Sequence, residues 1–202
     1  MSFIIGLTGQ SGAGKTTVCK YLAQAGFGII NCDEVARICM LDGSNCCREL
    51  ARHFPSCFDK KLSLDRRAIS RIIFSDREKL KLFDGIVYPF INKLIDESIS
   101  KLSDKYEYIV LDAPTLFEAG ADKKCDIIIG VTADKNTRLK RIMQRDGIDE
   151  ELALKRFASQ HTTRFYKNRC DMLIVNDGTA LQAENSTKEI IKRIKESKNG
   201  SN

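Results

Sequence analysis

The chain has 202 residues, enough for one α/β domain with a smaller appended lid. It is 43% hydrophobic and 30% charged, a globular composition, and no run approaches the roughly 18–20 apolar residues of a membrane span. The net charge of +6 has a local origin. Residues 135–169 hold ten Lys or Arg against four Asp or Glu, a patch that suits a polyphosphate better than a long nucleic-acid duplex.

Phe3-Ile4-Ile5-Gly6-Leu7 reads as a first strand, with no basic region or A-x-A site that would make it a signal peptide. Gly9-Gln10-Ser11-Gly12-Ala13-Gly14-Lys15-Thr16 follows and completes the pattern G-x-x-x-x-G-K-[ST], leading into a helix over 15–25. Gly26 and Gly28 close that helix and open a strand over 29–31. A helix over 33–41 comes next. Residues 42–64 are helical in part, with a loop around His53-Phe54-Pro55. Helical tracts cover 66–73 and 78–87, Tyr88-Pro89 interrupts, and an amphipathic helix spans 90–102 with Ile91, Leu94, Ile95 and Ile99 at helical spacing.

Residues 108–111 form a strand ending in Asp112, and 126–132 another. Asp134 caps a helix over 135–145, broken at Asp146-Gly147. Asp149 caps a second over 150–160. A short strand at 172–175 ends in Asn176-Asp177-Gly178, a C-terminal helix runs to about 197, and 198–202 is a fraying tail. This alternation predicts an α/β fold, a parallel sheet of about five strands flanked by helices. The single domain divides into a core (1–32, 104–134 and 170–197), a helical substrate-binding region (33–103) and a helical lid (135–169). The eight cysteines are scattered without a C-x-x-C pair, which predicts reduced thiols in a cytoplasmic protein.

The glycine-rich loop fixes the ligand class. Gly9, Gly12 and Gly14 let successive N–H groups point into one anion-sized hollow, and the helix N-terminus adds partial positive charge. In that P-loop, Lys15 reaches the β- and γ-phosphates of a nucleotide triphosphate, Thr16 ligates Mg²⁺ and Thr17 adds an α-phosphate contact; Gly12, Ala13 and Gly14 supply backbone. Asp33, just past the second strand, is either a base for a substrate hydroxyl or the N-cap of the next helix. Arg37, one turn on, faces the same way as a substrate-phosphate ligand or a solvated arginine. Asp112 is placed as a Mg²⁺-holding carboxylate at a strand end, or as an ordinary strand-terminal Asp.

Arg138, Arg141 and Arg145 give the lid a cationic face opposite Leu139, Ile142 and Met143, with Lys155, Arg156, Gln160, Arg164 and Lys167 beyond it. The bland alternative is a solvated charged helix. Asn176-Asp177-Gly178 either reads adenine or is a plain turn. His53 and His161 are read as non-catalytic.

Together these segments resemble the dephospho-CoA kinase family over nearly the whole chain. Thr8–Thr16 is similar to its first motif, Asn31-Cys32-Asp33-Glu34-Val35-Ala36-Arg37 to its Asp-x-Asp-x-x-Ala-Arg segment, and Leu64-Asp65-Arg66 with Ile73-Phe74-Ser75-Asp76 to its middle helices. Residues 111–120, Leu-Asp-Ala-Pro-Thr-Leu-Phe-Glu-Ala-Gly, resemble its D-x-P-L-L-F-E-x-G strand exit; residues 141–147, Gln160 and Asn176-Asp177-Gly178 resemble its lid and its N-x-G end. The chain departs at Asn31 (usually Asp), at Tyr88-Pro89 (usually His-Pro) and at Thr115 (usually Leu).

The resemblance implies transfer of the γ-phosphoryl of ATP to the 3′-hydroxyl of dephospho-CoA. Asp33 would be the base, Lys15, Thr16 and Mg²⁺ would hold the γ-phosphate, Arg141 would lead the lid arginines, and Arg37 would help hold dephospho-CoA. It implies a monomer or small homo-oligomer without nucleic-acid or membrane partners. Rivals are another small-metabolite kinase of the nucleoside-monophosphate type, a nucleotide switch, and a catalytically dead binding module. Asn92-Lys93 continues as Leu94-Ile95 and so lacks the Asp of a guanine-reading N-K-x-D.

Overall fold

Phe3–Gly9 (β1) is the middle strand of the sheet, and its residues from Ile4 onward are all buried. In a computed structural model, which describes residues 2–158 and 160–199, five strands align in the order β2-β3-β1-β4-β5. The others are Gly28–Asn31 (β2), Tyr108–Asp112 (β3), Ile127–Thr132 (β4) and Met172–Val175 (β5). β1 runs parallel to β3 with Leu7 opposite Asp112, and parallel to β4 with Gly9 opposite Val131; β4 runs parallel to β5. Near-continuous apolar runs are what a parallel sheet covered on both faces requires.

Lys15–Gln24 (α1) and Ala180–Asn199 (α9) supply the cover for one core. Val18, Leu22, Ile190 and Ile194 pack with Ile5, Leu7, Val110, Ile129 and Val131. Between them in sequence come Cys32–Cys39 (α2), Asn45–His53 (α3), Arg66–Ser75 (α4), Arg77–Ser103 (α5), Lys135–Asp146 (α6), Glu150–Ala158 (α7) and Thr163–Arg169 (α8). The chain forms two compact units, residues 1–29 with 102–202, and residues 30–101.

The expected alternation and sheet are present, with three corrections. Tyr88-Pro89 does not interrupt: α5 runs through Pro89 without a break. A mid-helix proline costs roughly 3 kcal/mol, but it removes one hydrogen bond rather than forbidding the helix. Val87, Ile91 and Ile95 bury one continuous stripe across it, which offsets that cost. A separate helix, α8, occupies the segment after Gln160 and is capped by Thr162, whose hydroxyl accepts from Phe165 N at 3.3 Å. The third concerns Asp33 and is given below. The predicted helix over 150–160 includes Ser159, and the predicted tail includes 200–202; both lie outside the described residues.

Candidate active site

The P-loop leaves β1 at its carboxyl end and enters α1 at Lys15. Gly12 and Gly14 have φ of 78° and 93°, conformations that favour glycine. Both are also pressed from outside. A Cβ on Gly12 would lie 2.7 Å from the Arg138 carbonyl oxygen, and one on Gly14 would strike the Asn176 amide. Ala13 is fully buried between them.

Lys15 and Asp112 meet in an ion pair, with side chains only 15% and 14% exposed. Leu7 and Asp112 are register partners, so the carboxylate stands at the strand end beside the loop that carries Lys15. Under this pair Cys19 has its thiol pushed up to about 11, first by burial and then by the Asp112 charge, and stays protonated at neutral pH. Thr16 is exposed in the first turn of α1. Thr16 and Asp112 together offer hard oxygen donors, the chemistry Mg²⁺ prefers.

Asn176 is 6% exposed, and its Nδ2 donates to the Ala13 carbonyl at 2.8 Å. Arg141 donates from Nη1 to the Asn176 carbonyl at 2.9 Å and the Gly12 carbonyl at 3.4 Å, and from Nη2 to the Gly178 carbonyl at 3.3 Å. One guanidinium thus spans the P-loop and the turn after β5. That turn opens onto a cavity of about 560 Å³ lined by Val175, Asn176, Asp177, Gly178, Gln182 and Ala183.

The expected cationic face of α6 needs correction. Arg138 lies beside Ile142 at i+4 and is buried at 6% exposure. Its Nε donates to the Ser11 carbonyl at 2.9 Å, its Nη2 to Gln160 Oε1 at 2.9 Å, and its guanidinium sits 4.1 Å over Phe157. An arginine fork can satisfy its donors on backbone and amide oxygens, so the polar-versus-apolar pattern of the helix misplaces it. Arg145 and Arg156 both bind the Asp146 carboxylate. Their hydrogen bonds, Arg145 foremost, hold that carboxyl down at about 2.

In the second unit, Asn31 rather than Asp33 caps α2: its Oδ1 accepts from Glu34 N at 3.1 Å. Asn-x-x-Glu is a capping-box spacing, and that signal identifies the cap from sequence. Asp33 is exposed at the second position of the helix. Arg37 is exposed and pairs with Glu34 at 3.2 Å. His161 stacks on Phe165 with ring centroids 3.6 Å apart and meets Glu118 at 3.1 Å, a structural setting.

Sequence reasoning missed Gln10, whose Nε2 donates to the His161 carbonyl at 3.2 Å, and the grip of Gln160 on Ser11 N at 3.1 Å. Both join positions some 150 residues apart, and no local pattern encodes such pairings.

Comparison with known proteins decides the family. The dephospho-CoA kinase family model matches residues 3–182. The chain belongs to the dephospho-CoA kinase family. A dephospho-CoA kinase from Fusobacterium nucleatum is 37% identical over 175 residues, covering 86% of this chain and 89% of that protein. One from Geobacillus kaustophilus is 31% identical, covering 96% and 97%. Among solved structures, a protein from Thermus thermophilus superposes with a TM-score of 0.82 at 31% identity, covering 95% of this chain and 97% of its own. Dephospho-CoA kinase from Campylobacter jejuni gives 0.71 at 25% identity, covering 98% and 100%. Shikimate kinase from Acinetobacter baumannii, at 15% identity and 0.53, shares the P-loop kinase fold alone. Membership in the dephospho-CoA kinase family makes this chain an ATP-dependent phosphotransferase.

Proposed function

We propose that the residues of this site carry the dephospho-CoA kinase reaction as follows. The P-loop backbone from Gly12 to Thr17 cradles the phosphates of ATP, and the nucleobase occupies the cavity beside Gly178 and Gln182. Lys15 leaves Asp112 for the β- and γ-phosphates as the nucleotide arrives. Asp112 and the Thr16 hydroxyl would hold Mg²⁺, which would supply positive charge against that of the phosphates. Arg141, at the Gly12 rim, contributes positive charge on the nucleotide side.

Asp33 accepts the proton of the 3′-hydroxyl of dephospho-CoA as that oxygen attacks the γ-phosphorus in line and ADP leaves. Its carboxylate suits this role because Asn31 already caps the helix. Arg37 holds acceptor phosphate once it exchanges Glu34 for it, a cheap exchange for an exposed pair. The lid of residues 135–169 covers the transfer and excludes water. No helix among the described residues is long and apolar enough to cross a membrane. We infer a cytoplasmic monomer or small homo-oligomer, in keeping with eight free cysteines.

The observation that carries these assignments is the Lys15–Asp112 pair at the mouth of the P-loop. Its two charges are those that a polyphosphate and a divalent cation would each claim. A coupled ADP-release assay with ATP and Mg²⁺ compares dephospho-CoA with AMP, CMP and shikimate as acceptors. Turnover of dephospho-CoA alone is expected. Turnover of a nucleoside monophosphate in its place would favour the monophosphate-kinase reading.

A further inference from the structure

Ser11 of the P-loop is gripped at both of its backbone polar atoms by side chains of the 135–169 segment. Its N–H donates to Gln160 Oε1 at 3.1 Å, and its carbonyl accepts from Arg138 Nε at 2.9 Å. Arg138 Nη2 closes the ring by donating to the same Gln160 oxygen at 2.9 Å. Each of the three residues is therefore bonded to the other two. The neighbouring Gln10 reinforces the grip, donating to the His161 carbonyl at 3.2 Å and accepting from the Thr163 hydroxyl at 3.4 Å.

Burial makes this ring costly to hold in any other form. Arg138 is 6% exposed, and its charge is met by a carbonyl, an amide oxygen and the Phe157 face. A buried guanidinium is tolerable only while such donors stay satisfied. The fit is also steric, since Gly12 has no room for a Cβ against the Arg138 carbonyl and Ile142. The cradle and the helix that carries the lid's cations are thus held together at the loop's third and fourth residues, Ser11 and Gly12.

We propose that Arg138 and Gln160 are positioning residues for ATP, fixing the Ser11 peptide so that the P-loop keeps its anion-binding shape and stays in register with α6. This rests on the reading of the loop as the seat of ATP. A freed Ser11 peptide rotates about its two soft dihedrals, and the cradle behind it loses the convergence of its N–H groups. Neither side chain reaches the phosphates in this role; both act through the loop. The effect falls on the nucleotide and spares the acceptor.

The test uses the full-length protein with three single variants, Gln160→Ala, Gln160→Glu and Arg138→Lys, and the double variant Arg138→Lys/Gln160→Ala. Calorimetry gives ADP affinity, and steady-state kinetics give KM for ATP and for dephospho-CoA separately. Gln160→Ala and Arg138→Lys are each expected to weaken ADP and raise the KM for ATP about tenfold, with the KM for dephospho-CoA within about twofold. Gln160→Glu, whose carboxylate accepts the same two bonds, returns ADP affinity to within about threefold of the parent. The double variant is no more than about twice as weak as the worse single, because one ring is broken once.

ADP affinity unchanged in folded Gln160→Ala overturns the proposal, and so does a double variant that loses the product of the two single effects. A purely structural role would lower the melting temperature and leave both KM values alone, which also overturns it. Should Arg138→Lys fail to fold, the Gln160 pair carries the decision. ADP binding needs no acceptor, so failure of dephospho-CoA turnover in the parent protein is a separate result.

Discussion

Asn31 caps the helix on which Asp33 stands, its side-chain oxygen accepting from Glu34 N at 3.1 Å. Under the proposed mechanism the two residues divide stability from chemistry, and two substitutions test that division. Asn31→Ala removes the cap and costs about 1 kcal/mol of stability by urea denaturation. Asp33→Asn forfeits only a first-turn charge, worth roughly 0.3–1 kcal/mol, and leaves ATP affinity in place. It lowers kcat by at least about a hundredfold, since general-base contributions run about 10²–10⁴. An Asp33→Asn variant that turned over near the parent rate would leave Asp33 with no catalytic part.

Lys15 and Asp112 hold each other in an ion pair, and both are largely shielded from solvent. Asp112→Asn strands the ammonium and lowers nucleotide-free stability by about 1–3 kcal/mol, between the values for exposed and buried pairs. For a chain of this size that is a fall in melting temperature of about 2–4 °C per kcal/mol. The same change releases Lys15, so ATP binds at least as well without Mg²⁺ as it does to the parent. With Mg²⁺ present kcat falls about a hundredfold or more. Calorimetry with and without Mg²⁺, beside steady-state kinetics, separates the two effects; loss of ATP binding in the absence of Mg²⁺ contradicts the exchange of partners.

The P-loop, the strand ends and the cap at Asp134 were legible because each is written locally. Glycines, a lysine and a hydroxyl at fixed spacing, or an Asp before an apolar-periodic run, need no distant partner to be read. Asn31 is legible too, through Glu34 three residues on, although Asp33 beside it is an equally good capping residue type. Pro89 misled because helix propensity weighs one residue while the buried stripe of Val87, Ile91 and Ile95 weighs the whole of α5. Arg138 could not be read at all. A charged side chain on a lid helix points to solvent by every local rule, and only the Ser11 carbonyl and the Gln160 amide bring it inside.

Asp146 at the end of α6 binds Arg145 beside it and Arg156 of α7, and its carboxyl sits at about 2, mainly because of the Arg145 hydrogen bonds. An unfolded aspartate titrates near 3.9. The folded value is the lower of the two, so the carboxylate adds stability at every pH above the unfolded value. That contribution declines as pH falls below it and is gone once pH has passed through the folded value. The gap in urea midpoint between the parent and Asp146→Asn is therefore flat from pH 8 to pH 5 and narrows from about pH 4 toward pH 2. A gap that instead changed between pH 6 and 8 would implicate a different group.

Asn176 spends its amide on the P-loop: Nδ2 donates to the Ala13 carbonyl at 2.8 Å, and the residue is 6% exposed. Arg141 holds the carbonyl of the same residue at 2.9 Å. A side chain so engaged steadies the cradle, with one of its two amide hydrogens committed to the loop. Asn176→Ala is expected to raise the KM for ATP and for GTP by the same factor, about tenfold for one buried hydrogen bond and the cavity behind it. The ratio of kcat/KM between the two nucleotides stays within about twofold of the parent. Base preference would then reside in the groups that line the cavity beyond it, Asp177, Gly178 and Gln182 among them. A selective loss of ATP over GTP in Asn176→Ala would instead make the amide a direct reader of adenine through its second N–H or its Oδ1.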